Sequence, residues 1–338
     1  MLETLKTLCT LDGTSGHEDA VREWIIAHLP ENCEHRTDAL GNLIVFKKGK
    51  SQAKNRVMIA AHMDEVGVIV THIDDKGYLK FTTVGGITPG VLAGRTVRFA
   101  NGTVGVLGIK PIHLTDKGDE GNLPSTDKMY IDIGADSREE AEEVVSLGDV
   151  AVFNEEFITL GENKVCSKAL DDRMGCCAML TLLHEDLPAD VYFAFTVQEE
   201  IGLRGAGTAA FQIAPDYAIV LEGTTAADLP DADGEKKVCV QGNGAAVSFM
   251  DRSTLYLPHL YKRAWELAKE NNIPVQTKTM VAGGNDAGSI HKAGAGVQVL
   301  TVNVPCRYIH SGSSVADLRD YDSVLKLTRL LIGELAGV

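Results

Sequence analysis

No stretch of this sequence approaches the ~18 continuous apolar residues that a membrane-spanning helix needs. The opening Met1–Leu8 has helical apolar spacing but lacks the long apolar run and small-residue cleavage site of a secretory signal. Basic residues are in deficit, 32 Lys and Arg against 47 Asp and Glu, for a net charge of −15. That argues against nucleic acid or an anionic membrane as the main partner, since both demand clustered positive charge. The seven cysteines form no Cys-x-x-Cys pair. An odd, scattered set reads as reduced, mostly buried thiols in a reducing compartment, so a cytoplasmic location is expected. Only two Trp are present, little surface on which to stack long glycans. A Gly-x-Ser-x-Gly elbow and a Walker phosphate loop are both missing, which removes serine hydrolases of that type and P-loop enzymes. His310-Ser311-Gly312-Ser313-Ser314 resembles the elbow only superficially.

What is present is an ordinary globular composition, 44% apolar and 23% charged, over 338 residues, enough for about two domains. Two helices are expected in the first ~30 residues, with a break at Ser15–Glu18 and the second helix from Glu18 to Leu29. Strands follow at Leu43–Lys47 and Val57–Ala61, the latter a short apolar run of the buried-sheet kind. From Val66 to about Gly161 the texture changes to short β-like runs with turn chemistry at Asp75-Lys76-Gly77 and Asn101-Gly102. One helix is expected there, from a capping box at Ser137–Glu140 to a glycine C-cap at Gly148. After Lys168 helices and strands alternate again: a helix over Arg173–His184, strands at Val191–Val197 and Tyr217–Leu221, a helix over Leu255–Asn271, a strand at Val297–Val304 and a closing helix over Asp320–Leu335. The pattern predicts an α/β domain with a mainly parallel, doubly covered sheet, formed by residues 1–65 and 163–338, and an inserted, mostly β domain over 66–162.

Four strand-like runs lead to side chains able to bind metal: His62, Glu199-Glu200, Glu222 and, through Pro305–Ile309, His310. Ligand sites of open α/β sheets lie beyond the carboxyl ends of the strands, so these groups are expected to converge. Asp171-Asp172 adds two carboxylates at a helix start. Two imidazoles and several carboxylates without a thiolate suit Zn, Co or Mn. Each residue alone carries little, and His17, His72, His113, His184 and His259 read as ordinary surface or core histidines; the weight lies in the common placement at strand exits.

Ala61-His62-Met63-Asp64-Glu65, Lys168-Ala169-Leu170-Asp171-Asp172-Arg173, Gln198-Glu199-Glu200-Ile201-Gly202 and Arg307-Tyr308-Ile309-His310-Ser311 occur in that order. Together they closely resemble the tetrahedral, self-compartmentalising metalloaminopeptidases, which include glutamyl and deblocking aminopeptidases and share the zinc-aminopeptidase-like fold. The resemblance spans nearly the whole chain. It implies that His62, Asp171 and Glu222 hold one divalent ion and Asp171, Glu200 and His310 another, with Asp171 bridging. It further implies Glu199 as general base, Asp64 as acceptor of the distal N–H of His62, Asp172 as a supporting carboxylate, and a cis peptide between Asp171 and Asp172. The one departure is Glu222, where the family usually carries Asp. The glycine loop with Gly283, Gly284 and Asp286 is expected either as a lip of the substrate cleft or as a turn in which Asp286 caps the next helix. The substrates implied are peptides with free N-termini. The assembly implied is a homo-oligomer, a tetrahedral dodecamer, with the insert (PDZ-like or a barrel) supplying contacts. Rival readings are a two-metal N-acyl amino acid deacylase, a glycosidase using paired carboxylates, and a non-catalytic peptide-binding or assembly protein.

Overall fold

The run Val57–Ala61 shows why the sheet forms where it does. Val57, Ile59 and Ala61 enter one apolar layer while Met58 and Ala60 enter another, so this strand is covered on both faces. The computed structural model describes residues 1–114 and 124–338. The first stretch holds helices α1 (Leu2–Thr10) and α2 (Asp19–Ala27) and strands β1 (Cys33–Thr37), β2 (Leu43–Lys47) and β3 (Val57–His62). Strands β4 (Gly67–Ile73), β5 (Leu79–Val84), β6 (Thr96–Phe99), β7 (Val104–Gly108), β8 (Tyr130–Asp132) and β9 (Val150–Phe153) follow, with short helices α3 (Pro89–Leu92) and α4 (Arg138–Glu142) among them. The remainder comprises β10 (Ile158–Leu160), β11 (Lys164–Ser167), α5 (Leu170–Leu183), β12 (Val191–Thr196), α6 (Arg204–Ile213), β13 (Tyr217–Thr225), β14 (Ala245–Ser248), α7 (Pro258–Glu270), β15 (Val275–Lys278), α8 (Ala287–Ile290), β16 (Gln298–Arg307), β17 (Ser314–Asp317) and α9 (Leu318–Ala336).

The main sheet runs β1-β2-β12-β3-β13-β16-β17-β11-β10, with β14 and β15 branching from β16. Its centre, β12-β3-β13-β16, is parallel. The flanks are antiparallel, because connections such as residues 38–42 and 308–313 are too short for a crossover. Buried faces of α1, α2, α5, α7 and α9 pack on one side, and Ala206, Ala209 and Ala210 of α6 with Ala287 and Ile290 of α8 on the other. The doubly covered α/β sheet is therefore present, parallel where the site lies.

Strands β4–β9 close a barrel with its own core, including Val70, Phe81, Leu92, Phe99, Leu107 and Ile131. Both expected hairpins occur. Asp74 accepts the N–H groups of Lys76 and Tyr78, and Gly77 at φ +84 leaves no room for a Cβ beside Ala135. At Ser137 the hydroxyl accepts the Glu140 N–H, as a capping box requires, but α4 ends at Glu142. Gly148, at φ +89, therefore lies in the turn before β9 and not at the helix end. Ile158–Leu160, within the stretch expected to belong to the insert, pairs instead with β11 on the edge of the main sheet; the tight turn at Gly161 makes that hairpin the local solution.

Where the chain leaves the sheet for the barrel and where it returns, three buried charges meet. Lys168 Nζ lies 2.6 Å from Glu65 Oε1 and 2.9 Å from the Leu11 carbonyl. Arg173 reaches the same Glu65 oxygen at 3.3 Å and donates to the carbonyls of Met63 and Leu8. Removing the shared anion leaves two cations buried without a counter-charge, so Glu65→Gln should cost about 3–5 kcal/mol in urea unfolding. A second junction is the start of α9, where Asp317 accepts the Arg319 N–H and pairs with Lys164 at 2.8 Å and Arg319 at 2.7 Å. Burial pushes this carboxyl up, but the bonds from Arg319 and Lys164 outweigh it and hold the carboxyl well below the usual range. A depressed carboxyl stabilises above its unfolded value near ~4 and loses that contribution as pH falls through its folded value. Asp317→Asn should thus cost about 1–2 kcal/mol at neutral pH, and the gap to wild type should close in acid denaturation.

Candidate metal centre

His62 ends β3, is 1% exposed, and has its ring fixed at both nitrogens. Nδ1 stands 3.0 Å from the carbonyl oxygen of Asp64, which can only accept, so Nδ1 carries the proton. Nε2 then faces oxygens: Glu222 Oε1 at 3.1 Å and Asp171 Oδ1 at 3.5 Å. His310, in the loop after β16, repeats the arrangement. Its Nδ1 donates to the Gly86 carbonyl at 2.8 Å, and Nε2 faces Glu200 Oε2 at 3.3 Å and Asp171 Oδ2 at 3.8 Å. Asp171 thus turns one oxygen to each histidine. The peptide joining it to Asp172 is cis.

Lone pairs set against carboxylates repel unless a cation sits between them. Asp171 Oδ1, Asp172 Oδ2 and Glu222 Oε2 are also buried with no hydrogen-bond partner, and a native interior rarely leaves such atoms unsatisfied. Donor atoms of His62, Asp171 and Glu222 lie within 4.8 Å of one another, as do those of Asp171, Glu200 and His310. Glu199 groups in the same way with His62 and Glu200. Nitrogen and oxygen donors in this number suit borderline divalent ions. The residues fit a pair of them.

Titration behaviour has the same origin. Burial lifts the carboxyls of Glu199, Glu222 and Asp172 well above the carboxylate range, and that of Glu200 to about 7. Burial works against a charged His62 ring, yet Glu222, Asp171 and Asp64 outweigh it and hold its pKa well above normal. Burial also raises Asp171, but His62 and His310 outweigh it and keep that carboxyl low. The same carboxylates that favour a proton on His62 would favour a divalent cation.

The structure adds detail to one expected role and corrects another. The imidazole N–H of His62 is met by Asp64, through its main-chain carbonyl at 3.0 Å, with the carboxylate oxygen at 3.4 Å. That carboxylate also accepts from Ser15 Oγ at 2.6 Å and from the main-chain N–H groups of Glu199 at 2.9 Å and Glu200 at 3.1 Å. It holds the loop that carries both glutamates. Asp286 is not a cleft residue: it is 1% exposed beneath the site, bonded by Thr196 Oγ1 at 2.5 Å. Nor does its side chain cap α8, because Asn285 Oδ1 takes the Ala287 N–H. Gly283 and Gly284 do line the cleft, an opening of about 540 Å³ whose floor includes Asp171, Glu199, Glu200, Glu222 and His310. Asp172 is fully buried and accepts the Gly175 N–H at 3.0 Å. His17, His72, His113, His184 and His259 are exposed.

Sequence reasoning missed the bracing of the loop after β12. Asn42 takes the Val197 N–H and Glu18 the Gln198 N–H, each at 3.0 Å. With Asp64, these side chains satisfy four successive amides. Glu18 lies 180 positions from Gln198, and no local pattern links the two.

The convergence of two imidazoles and a shared carboxylate at the carboxyl edge of such a sheet fits a metal-dependent hydrolase. Residues 41–327 match the M42 glutamyl aminopeptidase family. A putative aminopeptidase of Acetivibrio thermocellus is 43% identical over 97% of both chains. A solved aminopeptidase of Desulfurococcus kamchatkensis superposes with TM-score 0.91 at 35% identity, over 98% of this chain and 94% of that one. The TET1 peptidase of Pyrococcus horikoshii, described as assembling into a tetrahedron or a large octahedral shell, does so with TM-score 0.85 at 34% identity over 98% of each. The chain belongs to the M42 glutamyl aminopeptidase family and is a metal-dependent aminopeptidase.

Proposed function

We propose that this enzyme releases the N-terminal residue of peptides with a free α-amine, using two divalent ions (Zn, Co or Mn) and Glu199 as general base. The observation that carries the reading is the paired geometry of His62 and His310, each anchored through Nδ1 and aimed through Nε2 at one oxygen of Asp171. His62, Asp171 and Glu222 would hold one ion and Asp171, Glu200 and His310 the other. When bound, such ions acidify water and polarise a carbonyl. Glu199 is left to move the proton. Its backbone is pinned to Asp64, and its carboxylate, which also groups with His62 and Glu200, stands outside the two ligand sets named above. Carboxylates around the ions offer partners to an ammonium group, which favours an unblocked N-terminus. Gly283 and Gly284 would let the substrate backbone pass close to the cleft wall.

The assembly of the TET1 peptidase supports a homo-oligomer; we further infer that the barrel serves as a contact domain and, from seven free and scattered cysteines, that the enzyme works in the reducing cytoplasm. The test is a peptide mixture offered with free and with acetylated N-termini, plus cobalt or zinc and again after chelation. Metal-dependent, stepwise shortening of the free peptides alone is expected. Reaction of only the acetylated set would replace this reading with a deacylase.

A further inference from the structure

The hydrogen bonds of Glu199 run through its main chain. Its N–H goes to Asp64, and its carbonyl accepts the N–H groups of Gly202 and Leu203, both at 2.9 Å. Among the described residues none reaches its carboxylate, so the aim of that group is set by the backbone it hangs from. The residue before it, Gln198, stands at φ +57, a left-handed pose that a Cβ disfavours. Such a backbone persists only where its surroundings over-determine it.

One turn near the start of the chain does much of that work. Glu18 is 4% exposed and brings a single oxygen, Oε1, to two amides: Gly16 at 2.8 Å and Gln198 at 3.0 Å. Ser15, on the same turn, bonds the Asp64 carboxylate that takes the Glu199 and Glu200 amides. The turn is closed by the His17 N–H on the Thr14 carbonyl at 2.7 Å. From the other side the N–H groups of Arg204 and Gly205 reach the carbonyls of Gln198 and Val197. Burial pushes the Glu18 carboxyl up to about 6, so the place rewards an acceptor oxygen more than a charge. An amide oxygen there can serve as well, whereas a hydrocarbon leaves both N–H groups unpaired.

We propose that Glu18 is a positioning residue for the reaction. By holding the Gln198 amide it keeps the loop in the pose that turns the Glu199 carboxylate to the reacting centre while Glu200 faces His310. The inference rests on the aminopeptidase reading and on Glu199 as base.

The test is a double-mutant cycle on the metal-loaded enzyme, read with whichever aminoacyl p-nitroanilide the wild type cleaves fastest. Glu18→Leu should lower kcat by on the order of 10–100-fold, with KM within about threefold and metal content unchanged. Glu18→Gln, which keeps the acceptor, should restore kcat to within about threefold of wild type. With Glu199→Gln already in place, adding Glu18→Leu should lower the residual kcat by less than about threefold, because the group it positions is gone. Melting temperatures show that each variant is folded, and Glu18→Ala replaces Glu18→Leu should the latter not fold. An equal loss in both backgrounds, loss of metal, or a Gln variant as poor as the Leu one overturns the inference and leaves the aminopeptidase standing. So does an unchanged kcat in Glu18→Leu. If the metal-loaded wild type cleaves no substrate, the aminopeptidase reading fails and takes the inference with it.

Discussion

Glu199→Gln is expected to cut turnover on peptides by on the order of 10²–10⁴ while the protein still takes up its metal. The substitution keeps the length of the side chain and leaves His62, Asp171, Glu200, Glu222 and His310 intact. It also leaves the Glu199 amide bond to Asp64, which belongs to the backbone. What disappears is a carboxylate that can take a proton and return it. Steady-state kinetics beside metal content measured on the same sample separates the possibilities. Loss of turnover with metal retained supports a base; loss of both would make Glu199 a ligand. Turnover equal to wild type would remove it from the mechanism.

Glu222→Gln should change stability in opposite directions with and without metal. Burial raises the Glu222 carboxyl far above its ordinary range, and the charges of Asp171 and Asp172 add to that. A carboxyl raised in the folded state opposes folding once pH exceeds its unfolded value, near ~4.3. Replacing it by a neutral amide of the same shape should therefore raise the melting temperature of the chelated protein at pH 7. The loaded protein should move the other way. An ion bound only by the folded state at a thousandfold excess over its Kd adds about 4 kcal/mol, and the variant forfeits the share that depends on this ligand. Calorimetry of both proteins with and without chelator reads all four states. A chelated variant that melts below chelated wild type would mean Glu222 stabilises the fold through its contact with His62 and is not held there for a cation.

The parts of the molecule that were legible in the sequence are those written locally. Val57–Ala61 is short, apolar and bounded, so the strand ending at His62 could be placed almost to the residue. The turns Asp74–Tyr78 and Asn101–Gly102 carry their own hydrogen-bonding side chains, so the hairpins of the barrel were visible too. Short flanking strands were not. Cys33–Thr37 has polar, mostly exposed side chains and becomes a strand only because β2 offers it an edge. Helix α6 holds two glycines and starts without a capping side chain, so nothing local marked its beginning. At the site, residue types and strand ends pointed to the metal-binding set, while the struts behind it were hidden. Glu18 and Asn42 take backbone amides, and Ser15 donates to the Asp64 carboxylate, partners that the fold brings to them from far along the chain. Asp286 looked like a loop residue because glycines precede it, whereas packing under β12 sets its depth.

The bond from the His310 ring to the carbonyl of Gly86 joins the catalytic sheet to the turn that follows strand β5 of the barrel. His62, by contrast, is oriented from within its own domain. The two halves of the centre therefore differ in support as well as in position: one is held from within the sheet, the other leans on the inserted barrel. Grafting a relative's barrel into this chain would leave the His62 half undisturbed, but the His310 half would survive only if the Gly85-Gly86 turn were transplanted in the same pose. Barrel and sheet are in this sense coupled, and freedom to exchange the insert ends at that turn.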